Sequence, residues 1–153
     1  TDGARLADIW LDAAEFYTDL DPDAFRVPSR VDVERISTEA GAVEGTFARV
    51  AQIDGVVAGF VEAHIELPPA GAEAQFVAEL AEVRMAVDAL VVERPYWRRS
   101  VGGALLRAAE EWGRDRGATV VALDTYWSSP VSVSFYEKHM GYERRSISFR
   151  KHL

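Results

Sequence analysis

The chain contains no cysteine, so disulfides, cysteine-ligated zinc and a thiol nucleophile are excluded. Histidine is scarce. The three present, His64, His139 and His152, are too scattered to suggest a metal site, and no metal is expected. No apolar run approaches the roughly 18 residues that a membrane-spanning helix requires. The N-terminal residues are polar and acidic and carry no signal-peptide pattern, so a cytoplasmic location without membrane association is expected. Basic residues are few in the first 92 positions, 6 against 18 acidic ones. The remaining 61 positions reverse the balance, with 11 basic and 7 acidic residues, and the whole chain carries −8. A general nucleic-acid binder is normally basic, so nucleic acid is not an expected partner. Such asymmetry suggests that the two halves meet different chemical partners.

What is present suffices for one folded domain. The 153 residues are 48% hydrophobic and 10% aromatic, and a domain of this length typically buries roughly 70% of its unfolded surface. A single domain over residues 1–153 is expected. Leu6, Ile9, Trp10, Ala13 and Tyr17 recur at helical spacing, which predicts a helix over 4–19 that ends at Asp21-Pro22. A second helix is expected over 30–40, stopped by Gly41. Residues 46–52 and 56–67 are strand-like and flank Asp54-Gly55. That dipeptide is a strong hairpin signal, because both positions of the tight turn favour positive φ. Residues 70–75 read as a hairpin tip, and 75–80 as the possible edge of a further strand. Strands are predicted over 84–92, 119–126 and 144–149, and helices over 102–116 and 130–139. Gly117 is the expected stop of the first of these. The order gives a mixed α/β or α+β layer arrangement around one core. Trp10 and Trp112 are expected in the core, and Trp97 and Trp127 at a cleft.

Chemistry enters at the turn after the third strand, Val91-Val92-Glu93-Arg94-Pro95-Tyr96-Trp97-Arg98-Arg99-Ser100-Val101-Gly102-Gly103-Ala104. A strand-to-helix turn with glycines brings several backbone N–H groups to one point, and the free N–H groups of a helix start join them. Arg98 and Arg99 add cationic donors, so the segment suits a phosphate or pyrophosphate. It is neither a Walker loop nor a dinucleotide fingerprint, because the required spacings are absent. A second candidate is Ser134-Phe135-Tyr136-Glu137-Lys138, where the Tyr136 hydroxyl suits a general acid for a developing thiolate or alkoxide. Asp88 lies on the strand before the turn and suits an ammonium as partner or proton acceptor. Glu62, His64 and Glu66 alternate along one face of the second hairpin strand and suit a cationic substrate.

Taken together, Tyr96 to Leu106, then Phe135-Tyr136-Glu137-Lys138 and Gly141-Tyr142, resemble the GNAT superfamily of acetyl-CoA-dependent N-acetyltransferases. The resemblance covers most of the chain. Residues 4–28 look like the family's first helix and following loop, Asp88 to Val92 like its fourth strand, and Trp112 to Asp124 like its next helix and fifth strand. The resemblance implies a mostly antiparallel sheet flanked by helices, with the family's usual first strand missing or truncated here. It implies acetyl transfer from acetyl-CoA to a primary amine, on a small molecule or a peptide, by direct attack in a ternary complex. The alternative is a non-catalytic acyl-CoA-binding domain of the same fold. Leu90, Val91 and Val92 would present backbone groups to the pantetheine arm. Arg98, Arg99, Ser100, Val101, Gly102 and Gly103 would surround the pyrophosphate, Tyr136 would protonate the leaving thiolate, and Ser129 falls where many members place a cofactor-contacting Asn. The family motif reads Arg or Gln, two residues, Gly, one residue, Gly or Ala. Keeping Tyr96 and Leu105-Leu106 aligned puts these sites at Trp97, Ser100 and Gly102, and a shift of two puts them at Arg99, Gly102 and Ala104. The first register is preferred. A homodimer is common in the family.

Overall fold

Local sequence fixes the first elements of the computed structural model, which describes residues 2–39 and 43–153. Helix α1 (Gly3–Leu20) is capped by Asp2, whose carboxylate accepts from the Ala4 N–H at 3.0 Å. Helix α2 (Arg30–Glu39) is preceded by Ser29, which accepts from the Asp32 N–H and donates to the Asp32 carboxylate. The first of these bonds satisfies one N–H that a helix start otherwise leaves unpaired. The expected stop at Gly41 lies outside the described residues. The two helices close over Ala7, Leu11 and Val33.

Strands β1 (Thr46–Ile53) and β2 (Val56–Glu66) form the predicted hairpin. Asp54 and Gly55 both have positive φ, 51° and 79°, as this tight turn requires. Strand β3 (Arg84–Val92) pairs antiparallel with β2, and β4 (Val120–Ala122) pairs parallel with β3, giving the order β1-β2-β3-β4. The sheet is therefore mixed and mostly antiparallel, with helices on its faces. Helix α3 (Val101–Asp115) covers one face. Its Val101, Leu105 and Ala109 pack with Phe47, Val61, Ala63 and Met85. Helix α1 packs on β2 and β3, and Trp10 stacks on Phe60 with ring centroids 6.3 Å apart. Trp10 nonetheless remains 41% exposed, while Trp112 packs half-buried against Phe47.

Several elements differ from the sequence expectation. Residues 75–80 contribute no strand, and short 3-10 turns occupy 72–74 and 78–81. The strand expected over 119–126 narrows to Val120–Ala122, because its parallel partner pairs only through Arg84, Met85 and Ala86. The chain divides into two compact units, one ending at Leu123 and the other Asp124–Leu153. In the second unit the expected helix becomes one α turn, α4 (Ser132–Ser134), followed by a π-helical turn at Phe135–His139. No strand forms over 144–149. Alternating side chains specify a strand only when another strand completes its hydrogen bonds, and no described strand pairs with this segment.

Candidate functional site

The site begins with an irregularity in β3. Glu62 pairs with Ala89 and Ala63 pairs with Val87, so Asp88 is an extra residue without a partner on β2. Such a bulge re-aims side chains. Val87 and Leu90 both pack toward the α3 core, which leaves Asp88 and Ala89 on the opposite face. That face also carries Glu62, His64 and Glu66 of β2 and, across the ladder, Arg84 of β3. The structure thus brings together the four acceptor-side residues named from the sequence. His64 Nδ1 lies 2.8 Å from Asp88 Oδ2, His64 Nε2 lies 3.5 Å from Glu66 Oε1, and Arg84 Nη2 reaches Glu66 Oε2 at 3.1 Å. The hydrogen bond to Asp88, helped by the charges of Asp88 and Glu66, raises the His64 imidazole above its ordinary pKa, against the opposing effect of burial. Glu62 is raised too, first by desolvation and then by the charge of Asp88. Arg84 carries no signature in sequence beyond its place at the strand start. Only the ladder register shows that it faces Glu66.

The bulge coincides with a fork. Pairing between β3 and β4 stops at Ala86, whereas β3 runs on to Val92. The Glu93 N–H donates to Ala58 O at 3.0 Å. By the alternation of an antiparallel ladder, Val91 turns its backbone groups toward β2, and Leu90 and Val92 turn theirs toward the open edge. Val91 is held closely there, since a Cβ added at Gly59 would stand 2.6 Å from its carbonyl oxygen.

The turn after β3 is tied to α1 before it reaches α3. Arg5 bonds the Glu93 carboxylate and the Val57 carbonyl, and Arg94 bonds Asp12 through both its backbone N–H and its guanidinium. Trp97 then donates its indole N–H to Val92 O at 2.6 Å and packs edge-on against Phe16. Trp97 therefore fastens the turn. Arg98 and Ser100 adopt the left-handed conformation, with φ 59° and 61°. Ser100 is the N-cap of α3, yet its side chain makes no capping bond. The first ladder bond of α3 runs from the Ala104 N–H to Ser100 O, so the N–H groups of Val101, Gly102 and Gly103 remain without ladder partners. Arg98 and Arg99 form no ion pair among the described residues; Arg99 lies over the Tyr96 ring. Free N–H groups, a positive helix end and two available guanidiniums make a site for a doubly charged anion.

Ser129 and Tyr136 belong to the second unit. Ser129 is buried, bonded through its hydroxyl to Ser132 Oγ at 2.8 Å, and accepts from the Ser132 N–H. Tyr136 lies in the π-helical turn between the rings of Phe135 and Tyr142. Trp127 is 79% exposed. A cleft of about 440 Å³ opens beside α1, lined by Asp8, Asp12, Glu15 and Glu93 among others. Arg5, Arg30 and Arg94 already pair with these carboxylates. Its lining includes none of Arg98 to Gly103. No cluster of potential metal ligands occurs among the described residues, and no helix there is long and apolar enough to cross a membrane.

The fold is thus a mixed sheet that forks after Ala86, followed by an uncapped helix start at α3. The profile of the acetyltransferase (GNAT) family matches residues 7–142, and the chain belongs to that family. Three solved structures illustrate the likeness. A putative acetyltransferase from Agrobacterium tumefaciens is 19% identical with a TM-score of 0.63, covering 95% of this chain and 94% of its own. An aminoglycoside acetyltransferase from an uncultured soil metagenomic sample, solved with sisomicin, is 12% identical with a TM-score of 0.58, covering 96% and 90%. An aminoglycoside N-acetyltransferase in complex with CoA is 21% identical with a TM-score of 0.63, covering 96% and 89%. At these identities the likeness establishes the fold. Among curated protein sequences none matches this chain.

Proposed function

We propose that the protein transfers an acetyl group from acetyl-CoA to a primary amine by direct attack in a ternary complex. The observation that carries this reading is the open start of α3. Val101, Gly102 and Gly103 offer N–H groups, and Arg98 and Arg99 offer guanidiniums, to one anion. Their chemistry fits the CoA pyrophosphate. The Leu90 backbone groups and the Val92 N–H lead from that point toward the fork and would pair with the pantetheine arm, Val91 supporting them from the β2 side, while the Val92 carbonyl is held by the Trp97 indole. The acetyl carbonyl would then lie near the bulge, beside the acidic face of Glu62, His64, Glu66 and Asp88, where a cationic amine is attracted. The amine nitrogen attacks the thioester carbon, the C–S bond breaks, and the thiolate takes a proton. Tyr136 is assigned that donor role and Ser129 a cofactor contact, as the family resemblance implies. The absence of cysteine removes the thiol route to an acetyl-enzyme.

Thermal unfolding with and without CoA tests the donor site. A ligand at 100 times its Kd adds about 2.7 kcal/mol, so a clear rise in Tm is expected, and Gly102→Val should abolish it by obstructing the anion. No shift with saturating CoA would overturn the reading. Thiol release from acetyl-CoA with a panel of primary amines tests the transfer, and Tyr136→Phe should slow it by roughly 10²–10⁴. The rival reading, a binding domain without turnover, draws on Ser100, which adds a side chain where a family member has glycine. It expects the same Tm shift and no thiol release.

A further inference from the structure

The face opposite α3 holds two carboxylates on either side of the bulge, and their surroundings differ. Asp88 has one oxygen committed: Oδ2 accepts from His64 Nδ1–H at 2.8 Å. His64 is in turn braced by Glu66, and Glu66 by Arg84. Asp88 is therefore fixed in direction from β2, while its other oxygen makes no hydrogen bond among the described residues. Glu62 is the neighbour across the ladder, opposite Ala89, and makes no hydrogen bond or ion pair among the described residues. The charged groups that α1 could turn toward this face are engaged elsewhere: Arg5 with Glu93, Asp8 with Arg30, and Asp12 with Arg94. Asp88 is the one charged group that acts appreciably on Glu62. Both carboxylates stand where β3 leaves β4, two to three residues past the last parallel pair.

We propose that these carboxylates divide the work: Glu62 takes the proton from the acceptor ammonium, and Asp88, held by His64, orients that ammonium. Asp88 and His64 are then binding and positioning residues, and Glu62 is the catalytic base. This rests on the N-acetyltransferase reading. In the step, an N–H bond of the ammonium breaks, its electron pair stays on nitrogen, and the proton joins a Glu62 carboxylate oxygen. The neutral amine then attacks the thioester carbon; as the C–S bond breaks the nitrogen sheds a second proton, which balances the one the thiolate takes up, and Glu62 returns the first to water. The raised proton affinity of Glu62, caused by burial and by Asp88, suits a base better than an ordinary carboxylate would.

The test uses Glu62→Gln, Glu62→Asp, Asp88→Asn and His64→Asn in the full chain, with the amine that the parent turns over fastest. The CoA-induced Tm shift in each variant reports an intact donor site. Glu62→Gln should lower kcat by roughly 10²–10⁴ and erase the acidic limb of the kcat/KM pH profile. Glu62→Asp should keep the limb at reduced kcat. Asp88→Asn and His64→Asn should raise KM for the amine severalfold and leave the limb in place. Carboxyl NMR titration of the parent without ligand should find Glu62 raised from its ordinary value. An active parent whose Glu62→Gln variant keeps both kcat and the limb overturns the assignment alone, as does an ordinary Glu62 titration or a limb lost in Asp88→Asn instead. A parent that binds CoA but acetylates no amine overturns the transferase reading, and this assignment with it.

Discussion

Ser100 is a serine doing what glycine does more easily. A side chain in the left-handed region costs roughly 1–2 kcal/mol, and serine usually recovers some of that at an N-cap through a side-chain bond. Here it makes none. Ser100→Gly should therefore stabilise the protein by up to about 1 kcal/mol, after allowing for the greater freedom of glycine in the unfolded chain. In a chain of this size that corresponds to a rise in Tm of roughly 2–4 °C. CoA affinity should hold or improve, because closer backbone approach becomes possible. Arg98 has the same backbone conformation but also supplies charge. Arg98→Gly should relieve strain and weaken CoA binding together. Paired melting curves and CoA titrations of the two variants check both statements.

At the scale of elements, the fork depends on how tightly β3 lies against β2. An alanine at position 59 would press its Cβ to 2.6 Å from Val91 O, with Val92 atoms close behind. Backbone cannot rotate away as a side-chain tip can, so the strands must part. Gly59→Ala should cost roughly 1–3 kcal/mol and lower CoA affinity by displacing the edge at Leu90 and Val92. Urea unfolding and a CoA titration read the two effects. The same scale shows which parts of the molecule were legible in the sequence. The Asp54-Gly55 hairpin and the third strand were, because turn chemistry and a local apolar run specify them. The alternation of Glu62, His64 and Glu66 was legible as a shared face. Its pairing with Asp88 was not, because a bulge changes which face a residue takes without changing the letters. The segment over 144–149 misled for the opposite reason: its pattern suits a strand, but a ladder depends on a partner elsewhere in the chain. The open helix start was legible from its glycines and arginines, whereas the indole bond of Trp97 to Val92 had no signal at all.

For the molecule as a whole, the acidic first part of the chain makes stability a function of pH. Glu62 and His64 both bind protons more tightly in the folded protein than in an unfolded one. Each therefore contributes stability that is complete below its ordinary pKa and lost as pH rises through its raised one. For Glu62 the loss begins at the ordinary carboxylate value and extends above it. For His64 it begins at the ordinary imidazole value and extends above it. Both groups touch water, so the effects are modest. The Tm of the parent should fall relative to Glu62→Gln across the first window and relative to His64→Asn across the second. Parallel curves would show that neither group differs between the folded and unfolded states.

Asp88 is an addition that the sheet does not require. With that residue removed, Val87 would still oppose Ala63 and Ala89 would still oppose Glu62, and the strand would alternate regularly from Arg84 to its end. The core contacts of Val87, Leu90 and Val92 would keep their direction. The proposed ammonium partner thus occupies a position that the ladder to β2 does not use, so its in-frame deletion should weaken amine binding while sparing the scaffold.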